Sequence, residues 1–550
     1  MDVLPINLKG IPSNLLEAIP FDIKCIPLGV KAIPLTGKTI TATALASLVL
    51  VLLGKTVSRS LSKRPPGPPG EFFSGNAHQL PATTKEKWET YMRWAEEYGS
   101  PVIYYRVHRK QFVVINNVKA AFDLLEGRSN IYSDRPMAWF FMAPQLGGRG
   151  MSPTNISSQH PLHKTYRRML GHGLNQRAVK SYSPIMREEL KTLVNNINSA
   201  PEGFIAHIRR LSNATSLKLA YGWPMKDDND MLIEMIKEAF YLAGIALQPG
   251  RWAVDSWPIL RFVPDWFPFT GWKKTAKRVA TRSKEIDTIP FTWAKEQIAK
   301  GDYVDSFASH FLLPEDKHEV TPEEEALIQT CATSFFAGGS DTTVSAMSSC
   351  VLALARHLDI QRRFQAEIDK FVAENNRLPT TTDRDDPAIA YVRAVISEVE
   401  RFAPVAPIGP AHRLTQDDYY EGYLIPKGTT IVPSIWHCRA MTRDPAVYSE
   451  PEKFDPERFL PPRNELEPKK LVFGFGRRIC PGAYFAETSL FFNLTNLLAI
   501  YDLKPGKDEN GNVVDLRKVQ YKTGLTSHPE PFKCDFVCRN PELMARLLEE

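Results

Sequence analysis

Phe473-Gly474-Phe475-Gly476-Arg477-Arg478-Ile479-Cys480-Pro481-Gly482 is the stretch on which the reading of this chain turns. Its three glycines allow tight turns and a close approach of backbone to a flat ligand. Cys480 stands just ahead of an apolar helical run, Ala483 to Ile500. A cysteine at a helix N-terminus is drawn towards thiolate by the dipole and the free N–H groups. Arg478, two residues upstream, offers a guanidinium to an anion. Together these features suit an axial thiolate under haem iron, with N–H···S bonds tuning the metal and an arginine on a propionate. The plainer alternative is a free cysteine packed as a small hydrophobe. It leaves the fixed spacing of phenylalanine, glycines and arginine around Cys480 unexplained.

The segment resembles the haem-binding loop of the cytochrome P-450 superfamily. The resemblance covers about residues 65 to 538, nearly the whole chain. It implies a mainly α fold with small β-sheets, the α-rich triangular prism of that superfamily, with an N-terminal membrane anchor. It also implies haem b, iron protoporphyrin IX, with Cys480 as the iron ligand and Phe473, Gly474, Gly476, Gly482 and Arg478 around the cofactor.

Upstream, Thr321-Pro322-Glu323-Glu324-Glu325 predicts a helix start. Thr321 can cap, Pro322 suits the first helical position, the glutamates complement the dipole, and Glu324 completes a capping box. The pattern continues without a breaker to Arg356, about 35 residues or roughly 50 Å of helix. Its middle reads Ala337-Gly338-Gly339-Ser340-Asp341-Thr342-Thr343. Each glycine costs a helix interior about 1 kcal/mol, so a compensating gain is expected. Thr342 can turn its hydroxyl to a carbonyl one turn back, opening a groove. Asp341 and Thr342 would then form an acid–alcohol pair for proton delivery; a glycine-weakened core helix with a solvated aspartate is the alternative. The segment matches the superfamily's oxygen-activating motif, which implies that these protons assist O–O cleavage.

Glu398 and Arg401, three apart on a helix expected to begin near Ile389, share a face. Alone they would be an ordinary surface pair. Their place between the Asp341–Thr342 segment and Cys480, with Phe454-Asp455-Pro456-Glu457-Arg458-Phe459 downstream, resembles the superfamily's pattern. That implies a buried triad of Glu398, Arg401 and Arg458, serving fold and haem loading rather than chemistry. Propionates need cations or donors in a low-dielectric pocket. Besides Arg478, the resemblance points to His412, for which a buried core histidine is the alternative, and to Arg167 in His163-Lys164-Thr165-Tyr166-Arg167-Arg168. There the chain departs from its relatives: His163 stands where they carry tryptophan, and a histidine titrates near neutrality and covers less apolar surface.

The composition is 43% hydrophobic and 24% charged, which sets aside disordered and fibrous classes. A net charge of +6 over 550 residues is too diffuse to argue for nucleic acid. Seven scattered cysteines are no disulfide framework. Residues 1–38 read as a leader, 39–54 as a transmembrane anchor and 55–70 as a basic, proline-rich hinge acting as a semi-rigid spacer. Residues 71–550 then form one catalytic domain. The cluster Lys55, Arg59, Lys63 and Arg64 places the C-terminal side in the cytosol; an interfacial segment is the alternative. The expected location is the endoplasmic reticulum membrane, single-pass.

The function implied by the resemblance is a membrane-anchored haem-thiolate monooxygenase similar to fungal microsomal members of secondary metabolism. It would insert one oxygen atom into a hydrophobic small molecule, such as a terpenoid, with an indole, polyketide or other aromatic as alternatives. Electrons are expected from a separate NADPH-cytochrome P-450 reductase, with cytochrome b5 as a further donor. A haem-thiolate isomerase or dehydratase needing no reductase, and a non-catalytic haem sensor, are the competing classes. By resemblance, Trp139, Phe140, Phe141, Ile408 and Leu525 would line an apolar substrate pocket, each of them reading equally as an ordinary core residue. The aromatic and lysine-rich stretch from Val254 to Lys274 suits a membrane-dipping loop, with packing inside the domain as the equal alternative.

Overall fold

Thr321 and Glu324 form a reciprocal pair in the computed structural model: the Glu324 N–H donates to Thr321 Oγ1 at 3.3 Å and the Thr321 N–H to Glu324 Oε2 at 2.9 Å. The helix opened by this box runs unbroken over Pro322–Arg356, 35 residues. Around it stand the other long helices, labelled here in chain order: α1 Thr84–Glu97, α2 Pro161–Leu174, α3 Ser183–Ser199, α4 Phe204–Tyr221, α5 Met231–Ala246, α6 Trp272–Lys300, α7 Pro322–Arg356 itself, α8 Leu358–Asn375, α9 Ala390–Phe402 and α10 Ala483–Ile500. The structure describes residues 62–81, 84–225, 230–248, 250–436 and 440–549. The expected leader, anchor and residues 55–61 of the hinge lie outside the described residues. Among those described, no helix is long and apolar enough to cross a membrane.

The strands form small sheets. β1 (Val102–Val107), β2 (Lys110–Ile115), β6 (Thr430–Pro433) and β3 (His412–Arg413) make a four-stranded sheet in the order β1-β2-β6-β3. Its β2–β6 pair is parallel, with Phe112 opposite Thr430, and His412 lies opposite Ile431. β4 (Asp418–Tyr420) pairs with β5 (Tyr423–Ile425), and β7 (Tyr501–Pro505) with β10 (Cys534–Cys538). β8 (Tyr521–Thr523) and β9 (Ser527–Pro529) form a hairpin. Residues 63–550 form one compact unit. The later hinge residues belong to it: the Tyr104 N–H donates to the Pro66 carbonyl and the Leu424 N–H to that of Lys63, both at 2.8 Å. From Lys63 onward the hinge is therefore docked on the domain instead of standing free as a spacer.

The main core gathers on α7 and α10. α10 is apolar on all faces, and nearly every residue from Phe485 to Ile500 is buried, as a core helix requires. Burial of large apolar side chains such as Phe336, Phe364, Phe491 and Leu494 contributes roughly 1.5–3 kcal/mol each. α4 lies close along α7 because Gly339 has no side chain: a Cβ there would stand 2.4 Å from Ser216 Oγ. Ser212, one turn earlier on α4, donates to the Gly339 and Ser340 carbonyls at 2.9 and 2.8 Å. This contact is the compensation that the glycine pair called for.

The Glu398 carboxylate on α9 is shared by two guanidiniums, and all three side chains are fully buried. Arg401 donates to both its oxygens at 2.7 and 2.8 Å, Arg458 to Oε2 at 3.0 Å, and the Asp455 N–H to Oε1 at 2.7 Å. Of the remaining donors, Arg401 takes the carbonyls of Thr442, Pro451 and Lys453, and Arg458 takes those of Ser449 and Lys453 and the Glu465 carboxylate at 2.7 Å. Removing the Glu398 carboxylate strands the buried Arg401 and leaves Arg458 with Glu465 alone, which costs roughly 3–5 kcal/mol. Glu398→Ala should lose stability on that scale in urea unfolding. A loss within about 1 kcal/mol, the range of an exposed ion pair, would show that the triad does not carry the fold.

Candidate active site

The Cys480 loop is closed by its own backbone. The Cys480 N–H donates to the Phe473 carbonyl at 2.7 Å and that of Arg478 to Phe475 at 2.9 Å. Gly474 and Gly476 adopt φ of +83° and +51°, conformations that disfavour any side chain. At Gly476 a Cβ would also stand 2.5 Å from Ser129 Cβ and 2.7 Å from the Leu125 carbonyl oxygen. The Gly476 N–H donates to Glu126 at 2.6 Å, and Phe475 is buried edge-on to Phe122. Cys480 keeps accessible surface, yet burial pushes its thiol up, against the Gly482 N–H and the Arg167 guanidinium. The expected bias towards thiolate at the helix end is thus outweighed by burial, and a bound metal ion would reverse that balance.

Cationic and imidazole groups collect beside this loop, held by backbone carbonyls. Arg478 donates to Ser133 at 2.8 Å, Pro153 at 3.4 Å and Ile156. Arg135, which the sequence reading missed, donates to Thr154 at 3.0 Å, Pro410 at 2.8 Å and Ala411 at 2.7 Å. Arg167 on α2 reaches the Ile479 carbonyl, the residue before Cys480. His412 on β3 bonds the Tyr132 carbonyl through Nδ1 at 2.9 Å. A carbonyl only accepts, so Nδ1 carries the proton and Nε2 can donate to a carboxylate only as imidazolium. Burial, Arg135 and Arg478 hold His412 down at about 3. His163 on α2 is buried, and burial with Arg478, Arg167 and Arg135 holds it at about 4. The expectation that His163 titrates near neutrality is therefore corrected: its ring is neutral in this field. Burial and mutual repulsion lower Arg478 to about 10, and burial with the Arg478 charge lowers Arg135 to about 9. The nearby carboxylate, Asp134, is committed to Arg413 at 2.9 Å.

On α7, the Thr342 hydroxyl donates to the Gly338 carbonyl at 2.6 Å, the one-turn-back bond expected, and the helix stays continuous through it. A Cβ on Gly338 would meet only open space. Asp341 is no solvated acid. Its Oδ1 accepts from Arg209 of α4 at 2.9 Å, and its Oδ2 meets His528 Nε2 of β9 at 2.9 Å and the Thr526 hydroxyl. His528, Thr526 and Arg209 overcome burial to hold its carboxyl far below the usual range. None of the three carried a local signal: Arg209 sits in an Arg-Arg pair that reads as surface, and His528 in a three-residue strand. α7 and α10 meet where Phe335 packs on Phe485, centroids 6.1 Å apart, so the Thr342 helix passes the first turn after Cys480. Phe140 is a core residue, stacked on Trp252 at 3.9 Å, and not a pocket wall. Leu525, in the β8–β9 turn, is exposed.

The cytochrome P-450 family profile matches residues 65–536. Cytochrome P-450 monooxygenase 208 of Postia placenta is 35% identical over 515 residues, 92% of this chain and 96% of its own length. Cytochrome P-450 monooxygenase claR of Ampulloclitocybe clavipes is 33% identical over 507 residues, 91% of each chain. Tryptamine 4-monooxygenase of Psilocybe cyanescens is 30% identical, over 92% of this chain and 98% of its own. Members of the family bind haem b through a cysteine thiolate. The residues present fit that group: an accessible thiol in a desolvated loop and a cluster of cations whose nearby acid is already paired, as two propionates require. Forcing a side chain into the loop costs about 1–3 kcal/mol. Gly476→Ala should therefore lower haem content severalfold, read as the Soret-to-protein absorbance ratio, and unchanged occupancy would show that the loop tolerates the shift.

Proposed function

We propose that this chain, which belongs to the cytochrome P-450 family and is a haem-thiolate monooxygenase, oxidises an apolar small molecule of fungal secondary metabolism. A terpenoid is the first candidate, and an indole, polyketide or other aromatic the alternatives. One relative is named for tryptamine, which keeps the indole class in view. Haem b held by Cys480 supplies the oxygen-activating chemistry. The residues assigned to the chain's own part are Arg478, Arg135 and Arg167 as partners of the propionates, with His412 and His163 lining the same region. Phe473, Gly474, Gly476 and Gly482 shape the loop, and Gly482 offers its N–H to the sulfur. Glu398, Arg401 and Arg458 serve fold and haem loading.

The observation that carries the reading is the Thr342 hydroxyl bonded to Gly338 beside the charge-paired Asp341. A hydroxyl on a carbonyl one turn back can exchange that acceptor for a water in the groove and hand on its proton, while Asp341 holds the adjoining charge. An isomerase has no use for such a pair, and the relatives named above are monooxygenases.

The family implies a reductase as redox partner and a hydrophobic substrate. We assign NADPH-cytochrome P-450 reductase as that partner, with cytochrome b5 as an auxiliary donor. The assigned location is the endoplasmic reticulum membrane, single-pass, with residues 71–550 as a cytosolic catalytic domain. Ile259, Phe262, Trp266 and Phe269 are 58–97% exposed, which supports contact of this stretch with lipid.

The test combines reductase, NADPH and terpene, indole and aromatic scaffolds with product analysis. Thr342→Ala should keep the thiolate-type carbon monoxide difference spectrum and NADPH consumption while product per NADPH falls about tenfold or more. Product that forms without NADPH or oxygen, or a difference spectrum that survives Cys480→Ala, would overturn the reading.

A further inference from the structure

The acid at the centre of α7 is tied to a hairpin that the family motif does not mention. Asp341 and Ser345 stand one turn apart on one face of α7. The β8–β9 hairpin grips both: Ser345 donates its hydroxyl to the Ser527 carbonyl, and Thr526 and His528 meet Asp341. The hairpin is itself pinned, since the Ser527 N–H donates to the Val405 carbonyl at 2.8 Å. Arg209 takes the other carboxylate oxygen from α4, and among the described residues it is the other charged group on Asp341.

These partners differ in what they can give. A guanidinium stays charged and surrenders no proton near neutral pH. The Thr526 hydroxyl passes a proton only if it receives one. An imidazole gains and loses protons in the physiological range. The side chain of His528 is 24% exposed, against 15% for Asp341; Arg209 is as exposed at 23%, so both charged partners reach solvent and only the imidazole can exchange a proton there.

We propose that His528 is a positioning residue that recharges Asp341 with protons from the solvent side. In the transfer the Nε2–H bond of the imidazolium breaks and an Oδ2–H bond forms on Asp341. The imidazole is left neutral and takes its next proton from water, while Arg209 and Thr526 keep the carboxyl in place. The inference rests on Asp341 and Thr342 being the acid–alcohol pair.

Three variants test it in the haem-loaded full chain. His528→Gln keeps a polar side chain that cannot carry the proton, and His528→Lys keeps a cation that does not release one near neutral pH. Asp341→Asn removes the acceptor. Wild-type turnover should fall as pH rises from about 6 to about 8.5, the range over which an imidazole ceases to be a proton donor, because the relay then has no proton to pass to Asp341. Both His528 variants should flatten this profile, slow turnover about tenfold and raise the solvent deuterium isotope effect. A second readout needs no turnover. In thermal unfolding, Asp341→Asn and His528→Gln should be more strongly non-additive at about pH 6 than at about pH 8.5, as expected where an ion pair at low pH gives way to a hydrogen bond alone. A lowered turnover with the wild-type pH profile and isotope effect retained would leave His528 merely structural and overturn the inference, as would additivity at both pH values. If Thr342→Ala uncouples NADPH use while His528 behaves so, the monooxygenase assignment stands and only the relay falls.

Discussion

Two buried guanidiniums share one buried carboxylate at Glu398, and the path of the chain to Cys480 depends on it. Guanidiniums without a counter-charge are not stable in that interior, and a lone carboxylate would be equally costly. Sharing, with Glu465 as a second carboxylate on Arg458, resolves both, but only if every remaining N–H finds an acceptor. Arg401 and Arg458 therefore draw in carbonyls of Thr442, Ser449, Pro451 and Lys453. The irregular segment that follows β6 takes its course from these bonds, since it has no ladder of its own. The cysteine loop begins only a short distance beyond, and its position relative to α7 and α9 inherits that course.

The same economy operates beside the loop with the opposite electrostatic outcome. Arg135 and Arg478 are satisfied as hydrogen-bond donors by neutral carbonyls, so their bonds are made while their charges stay uncompensated. Asp134 cannot neutralise them, because Arg413 holds it. Burial first, and then the field that results, keeps His412 and His163 neutral. A site of this kind binds a dianion without first breaking an internal ion pair. It also means that His412 would become a donor only once such an anion had arrived.

The parts of this arrangement that were legible in the sequence are those whose cause is local. The Thr321–Glu324 box, the run Ala483–Ile500 and the turn glycines around Cys480 each depend on neighbours within a few residues, and each stands where its residues indicate. Glu398, Arg401 and Arg458 became legible through their order along the chain. What escaped was set by distant backbone. Arg135 joins the cations beside the cysteine loop only because the carbonyls of Pro410 and Ala411 come to it. The charge state of His163 follows from its burial and from arginines that include Arg478 and Arg135 on other segments, and Phe140 takes the core place because Trp252 covers it.

α7 shows why the distant partners matter most where the helix is weakest. Gly338 and Gly339 weaken its middle, and Thr342 diverts a hydroxyl onto the Gly338 carbonyl. Stability there has to come from outside the helix, and it does: Ser212 and Ser216 of α4 fit against Gly339, and the β8–β9 hairpin holds the next turn at Ser345. Asp341 sits between these two supports and takes a partner from each, Arg209 from α4 and His528 from the hairpin. The groups that steady the weakened turn are thus also the ones that set the charge of its acid. A change in either support would alter geometry and proton supply together, which a helix braced only by its own backbone could not do.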